Sequence, residues 1–124
     1  MNNCLLIFLG GGIGCLFRHW FSSRAYMIIG QGFPYGTLLV NVTGSFLAGL
    51  LLVFLERFGS IASQLRAFLL IGFLGGYTTF SSFSIETVVL FEQGEIFKAV
   101  LNAVLNFVLC LLAAWLGIIL WRQP

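Results

Sequence analysis

The sequence predicts an all-α membrane protein of four transmembrane helices, the third of them broken in mid-membrane. Three observations predict it. Hydrophobic residues make up 60% of the chain, charged residues only 8%, and the mean hydropathy is +1.05, whereas a soluble domain carries about a quarter charged residues. A membrane-crossing helix needs about 20 apolar residues, so the 124 residues hold at most about four such helices with short loops, as one domain over residues 1–124. Finally, Gly72–Glu86, GFLGGYTTFSSFSIE, sets hydroxyls and phenylalanines directly after a Gly-Gly pair inside an otherwise apolar segment. Lipid supplies no water to a broken backbone, so such a segment persists only where it packs in protein or lines a polar path. Broken helices rich in glycine and hydroxyls build ion and substrate sites.

The first helix is expected over Cys4–Phe21, with Arg18, His19 and Trp20 marking its far end. Its start, MNNCLLIFLGGGIG, has neither the basic opening nor the A-x-A site of a signal peptide and is read as a mature helix. A glycine-rich polar link, Ser22 to Pro34, follows. The second helix is Tyr35–Leu55, closed by Glu56 and Arg57. The third is Ala67–Phe91, entered after Arg66 and left through Glu92-Gln93-Gly94-Glu95, with its break at Gly75-Gly76. The fourth is Phe97–Trp121, capped by Arg122. Trp20 and Trp121 stand where aromatic belts form.

Small residues four apart recur as Gly10 and Gly14, Gly44 and Ala48, Ser45 and Gly49, and Gly72 and Gly76. That spacing lets membrane helices approach closely. Cys4, Cys15 and Cys110 form no C-x-x-C pair and are read as packing residues rather than disulfide or metal ligands. Four spans put Arg57, Arg66 and Arg122 on one side of the membrane and Arg24, Lys98 and Arg18 on the other. This balance gives the positive-inside rule nothing to act on. Dual insertion would let two copies pair antiparallel, and a homodimer is an economical way for so small a bundle to build a pore.

Thr37, Asn41 and Ser45 share one face of the second helix, and Asn102, Asn106 and Cys110 share one face of the fourth. Such faces point inward, either as interhelical glue or as a polar track. The chain has no Asp, and its acids are Glu56, Glu86, Glu92 and Glu95. Amide, hydroxyl and guanidinium donors without carboxylates suit an anion. Phe80 and Phe83, three apart, can turn their positive ring edges to it.

GGYTTFSSFSIE at Gly75–Glu86, GTLLVNVTGSFLAG at Gly36–Gly49 and GGGIGCLFR at Gly10–Arg18 closely resemble the signature of the Fluc-type (CrcB-like) fluoride channels, in the family's order and spacing. The resemblance covers essentially the whole chain. It implies a passive, fluoride-selective exporter working as an antiparallel dimer with two pores, in the bacterial inner (plasma) membrane. It implies pore roles for Phe80, Phe83 and Asn41, with Thr79, Ser81 and Ser82 following the family's hydroxyl pattern. The family's polar track maps onto Thr37, Glu86, Asn102, Asn106 and Cys110, and Arg18 matches a vestibule arginine. A structural sodium at the dimer interface would be held by backbone carbonyls of Gly75 and Thr78, which are sensible ligands for a hard cation. Ser82 stands where many members carry Thr, and Cys110 is a poorer donor than Ser or Thr. His19 has no motif role.

Two other classes fit less well. A small multidrug exporter needs an acid in its first helix, and none precedes Glu56. A non-transporting assembly subunit would use the polar faces as glue alone. An enzyme is not expected, since no nucleophile–base pairing is present and the lone His lies far from the hydroxyl cluster in sequence.

Overall fold

The first helix begins where a side chain can cap it. Asn2 Oδ1 accepts the N–H of Cys4 at 3.1 Å, and the helix then runs over Asn3–Ile29 in the computed structural model, which describes residues 2–122. It does not stop at Phe21. Neither glycine nor proline interrupts Ser22–Ile29, and Ser22 returns its hydroxyl to the His19 carbonyl at 3.3 Å, so this part of the expected link is helical. Gly30 ends the helix with φ +113°, a conformation that glycine adopts without a Cβ penalty. The second helix is Tyr35–Leu55, and the fourth is Ile96–Arg122.

The third span, Gly59–Glu92, starts earlier than Ala67 and is made of two parts. Its first part winds more widely over Arg66–Leu74 as a π-helix and closes with the turn Gly75–Tyr77. Its second part is Phe80–Glu92. Between them Thr78 (φ −80°, ψ 156°) and Thr79 (φ −150°, ψ 111°) are extended. The break therefore lies past Gly75-Gly76, which are still helical.

Those glycines are needed for packing. A Cβ on Gly76 would run into the Gly11 carbonyl, and one on Gly10 or Gly14 into the carbonyls of Phe68 or Phe73. The first and third spans thus cross backbone on backbone, the close approach that small residues permit. The second and fourth spans cross in the same way. Gly49 faces the Ala114 carbonyl and Gly117 the Phe46 carbonyl. Between the two crossings lies a small apolar core of Val40, Leu74 and Tyr77, flanked by Phe21 and Phe73.

The outer surface is what lipid requires. Phe8, Leu16, Met27, Ile28, Phe97 and Phe107 are all exposed, and the four spans are each long and apolar enough to cross a membrane. Arg24 lies over Trp20 at 5.9 Å within the first span, and Arg57 over Trp121 at the end of the fourth at 5.7 Å, so each cation rests on an aromatic face. Cys4 and Cys15, expected to pack, are exposed, and the three cysteines are free.

The glycine crossings give a direct test. Gly14→Ala drives a methyl into a backbone carbonyl that cannot move alone and is expected to cost about 1–3 kcal/mol. Gly12→Ala meets nothing within 4 Å and should be neutral or slightly stabilising. Thermal unfolding of the two variants in detergent checks this; equal midpoints would contradict the crossing.

Candidate functional site

A helix opened inside a membrane leaves backbone groups that need partners from elsewhere in the protein. At Thr79 both come from one side chain. Asn41 Oδ1 accepts the Thr79 N–H at 2.8 Å, and Asn41 Nδ2 donates to the Thr79 carbonyl at 3.0 Å. At Thr78 the N–H and the hydroxyl both turn back to the Leu74 carbonyl at 2.9 Å. The Thr78 carbonyl accepts from Arg18 Nη1 at 3.3 Å. Thr79 then caps the second half-helix, its Oγ1 accepting the Ser82 N–H at 3.2 Å. Its own hydroxyl donates to Ser82 Oγ at 3.0 Å and lies 3.3 Å from that of Ser81.

The Asn41 amide reaches further. Its nitrogen also donates to Asn106 Oδ1 at 3.1 Å. Asn106 Nδ2 donates to the carbonyl and the side-chain oxygen of Asn102, both at 3.0 Å, and Asn102 Nδ2 to Thr87 Oγ1 at 2.9 Å. Thr87 in turn donates to the Phe83 carbonyl at 2.7 Å. The expected polar faces of the second and fourth helices are therefore joined to each other and to the third.

Two cavities meet at the break. One is an open, apolar cleft of about 960 Å³ lined by Phe80, Phe83, Asn41, Ser45, Gly75, Thr78, Thr79, Asn106 and Cys110, among others. Phe80 is 78% exposed there, with its ring centroid 5.3 Å from that of Phe83. The other is a smaller polar cavity of about 280 Å³ lined by Arg18, His19, Ser22, Thr37, Thr79, Ser82 and Glu86. Thr79 belongs to both, so the capped break is the partition between them. In the polar cavity Thr37 donates to Glu86 Oε1 at 2.7 Å, while the buried Glu86 Oε2 has no partner among the described residues.

The structure brings most of the sequence-derived residues to these two spaces. Asn102 is different: it is fully buried behind them. Ser81 touches Thr79 but lines neither cavity. Arg18 was expected near a helix end. Because the first helix runs on to Ile29, it sits instead part-way along the span and reaches the break. Three participants were missed. Thr87 lies four residues after Phe83, on the same helical face, which is the signal that could have found it. Thr43, whose hydroxyl lies 2.9 Å from that of Tyr77, carried no such signal. His19 had no motif, yet it stands in the polar cavity.

Residues 5–118 match the family described as CrcB-like protein, Camphor Resistance (CrcB). The chain belongs to the CrcB-like family. A relative from Coxiella burnetii (strain Dugway 5J108-111) is 54% identical over 122 residues, 98% of each chain. One from Shewanella baltica (strain OS185) is 50% identical over 117 residues, 94% of each chain. One from Methylococcus capsulatus is 51% identical over 94% of this chain and 51% of its own length. All three are named fluoride-specific ion channel FluC.

In this CrcB-like chain the Asn41 clamp should be costly to lose. Asn41→Ala leaves the Thr79 N–H and carbonyl without their Asn41 partners and is expected to destabilise by about 2–6 kcal/mol, given about 1–3 kcal/mol per unsatisfied buried group. Thr43→Val, which removes a hydroxyl bonded to its own preceding turn at Leu39 and Val40 and to the Tyr77 hydroxyl but leaves no backbone group of the break unpaired, should cost about 1 kcal/mol. Thermal unfolding compares them, and an equal loss for both would remove Asn41 from its place at the break.

Proposed function

We propose that this chain is a fluoride-selective channel that lets fluoride leave the cell passively, as an antiparallel homodimer in the bacterial plasma membrane. What carries this is the conjunction of relatives named for fluoride at 50% to 54% identity with a donor-rich break that parts a polar cavity from a phenylalanine-lined cleft. Fluoride is small and strongly hydrated, so a path for it must replace water with many donors. The Arg18 guanidinium raises the local concentration of anions in the polar cavity, where Ser82 offers a hydroxyl hydrogen while Thr79 gives its own to Ser82 and Thr37 holds Glu86. Beyond the break, Phe80 and Phe83 present ring edges, which carry partial positive charge, and Asn41, Ser45 and Cys110 continue the wall of the cleft.

The cleft is open along one side and Phe80 is largely uncovered in the single chain. A second copy laid antiparallel would close it, which is the support for the dimer and for two pores, one per cleft. With Arg18 inside the first span, Arg57, Arg66 and Arg122 at one end of the bundle stand against Arg24 and Lys98 at the other, a bias of one charge that permits both insertions.

The sodium ion expected at the dimer interface can be tested against the carbonyls assigned to it. The Thr79 N–H that would close the next helical turn onto Gly75 goes to Asn41 instead, so the Gly75 carbonyl lacks its helical donor. Gly75 has open space around it. The Thr78 carbonyl accepts one bond, from Arg18, and keeps a second lone pair. Both are neutral oxygens and suit a hard cation. Gly75 and Thr78 would hold it together with the same pair from a second copy, and the ion would supply a cross-link between the two breaks.

The deciding experiment is fluoride efflux from liposomes containing the purified protein, read with a fluoride electrode beside a chloride control. Fast fluoride release with negligible chloride release is expected. No release from folded, dimeric protein would leave an assembly subunit whose polar faces are only glue. Phe80→Ile and Phe83→Ile keep bulk but lose ring edges; each should lower fluoride flux at least about tenfold, roughly 1.4 kcal/mol in the barrier, without dispersing the dimer. Exchanging sodium for N-methylglucamine should lower the thermal midpoint of the dimer, and an unchanged midpoint would remove the cation from the interface.

A further inference from the structure

The amides of Asn41 and Asn106 invite assignment as fluoride donors, yet their hydrogens are already committed. Backbone groups fix the direction of every link in this network. The Thr79 N–H can only donate, so it meets the oxygen of Asn41 at 2.8 Å and leaves the nitrogen to bond the Thr79 carbonyl and Asn106 Oδ1. The Asn102 carbonyl can only accept, so Asn106 turns its nitrogen to Asn102 and its oxygen to Asn41. The Phe83 carbonyl likewise takes the hydroxyl hydrogen of Thr87, which must then accept from Asn102 Nδ2 at 2.9 Å. The bonds run one way, Asn41 to Asn106 to Asn102 to Thr87 to Phe83, starting at the break and returning to the half-helix that the break releases. Asn41 and Asn106 have both amide hydrogens spent. Asn102 is 0% exposed and cannot meet an ion unless the chain opens, and Asn106, at the wall of the cleft, is only 6% exposed with its amide hydrogens turned away to Asn102. Hydrogen bonds aligned head to tail in a dry interior reinforce one another.

We propose that Asn106, Asn102 and Thr87 are positioning residues, a serial brace that holds Phe80–Glu92 at its angle and so aims the Phe83 ring, rather than ligands along the fluoride path. The inference rests on the fluoride-channel reading. It assigns a functional part to Thr87, which lines neither the cleft nor the polar cavity. It also sets how losses combine. Members of one serial brace fail together, because any broken link releases the half-helix, whereas separate ion ligands lose flux independently and their effects multiply.

The test is a set of flux measurements in liposomes on the full-length dimer: wild type, Thr87→Val, Thr87→Ser, Asn106→Leu, and the double variant Thr87→Val/Asn106→Leu. Size-exclusion chromatography checks that each remains dimeric. Wild-type fluoride flux comes first, since its absence would defeat the channel reading itself. Given wild-type flux, Thr87→Val is expected to lower it about tenfold and Thr87→Ser, which keeps the hydroxyl, to restore it. Asn106→Leu should match Thr87→Val, and the double variant should be no worse than either single. Normal flux in Thr87→Val, or a double variant whose loss is the product of two separate losses, would overturn the brace. Should Thr87→Val prevent assembly, a 4-fluorophenylalanine at position 83 in the conservative Asn106→Ser variant gives a second reading by fluorine NMR. A shifted or broadened resonance supports the brace, and a resonance identical to that of the labelled protein with Asn106 intact overturns it.

Discussion

Everything at the centre of this protein depends on how two extended residues are kept satisfied where there is no water. Thr78 and Thr79 interrupt the third span, and an unpaired backbone group in hydrocarbon costs several kcal/mol. The solution is local and economical. Thr78 folds its N–H and hydroxyl back to one carbonyl, Arg18 covers the outward carbonyl, and Asn41 serves both polar groups of Thr79. Because these partners come from the first and second spans, the break is defined by three helices and not by the segment in which it lies. That is why a bundle of this size can hold an opened helix as a fixed feature.

The glycine crossings follow from the same demand. Arg18 can reach Thr78 only if the first span lies close against the third, and Gly10, Gly14, Gly72 and Gly76 allow that approach. Asn41 can reach both Thr79 and Asn106 only if the second span is close to the third and the fourth, which Gly44, Gly49 and Gly117 permit. Without apolar solvent exclusion to press helices together, contact depends on shape and on hydrogen bonds. Close crossings and polar links are two halves of one arrangement.

The sequence made the four spans and the third-span break legible because each has a strong physical signature: long apolar runs, and a cluster of hydroxyls directly after a glycine pair inside one of them. The position of the break was less legible. Gly75-Gly76 looked like the weak point, but glycine in a membrane helix serves close packing as readily as it serves a bend, and Gly76 is used against Gly11. What opens the chain is competition for the Thr79 N–H from Asn41, a residue 38 positions away, and no local pattern reports that. The end of the first helix was misplaced for a related reason. Arg18 and His19 read as a boundary because charge usually marks one, yet a guanidinium with a carbonyl to bond can stand inside the span. Cys15, exposed, takes a further contact from Arg18 at 3.6 Å. The motif placed Asn41, Phe80 and Phe83 beside the break, while Thr87, for all its place on the Phe83 face, was easily passed over, because a threonine in a helix usually bonds its own preceding turn, and this one does so too.

A census of unspent donors shows which groups remain to meet an anion. The amides of Asn41 and Asn106 are committed, and Thr79 gives its hydrogen to Ser82. Ser82 accepts that bond and, among the described residues, donates none, so its hydroxyl hydrogen is available to the polar cavity it lines. A hydroxyl can rotate toward a passing ion at small cost. A clamped amide cannot turn without stranding the backbone it serves. Mobile hydroxyls therefore stand on both sides of the break, Ser82 beside Arg18 in the polar cavity and Ser45 beside Cys110 on the wall of the cleft, which Phe80 and Phe83 otherwise line. Ring edges attract an anion far less strongly than a guanidinium or a row of hydroxyls does. On the fluoride-channel proposal, an ion drawn in at the polar cavity would meet weaker partners once across the break, which is the condition for it to leave as well as to enter.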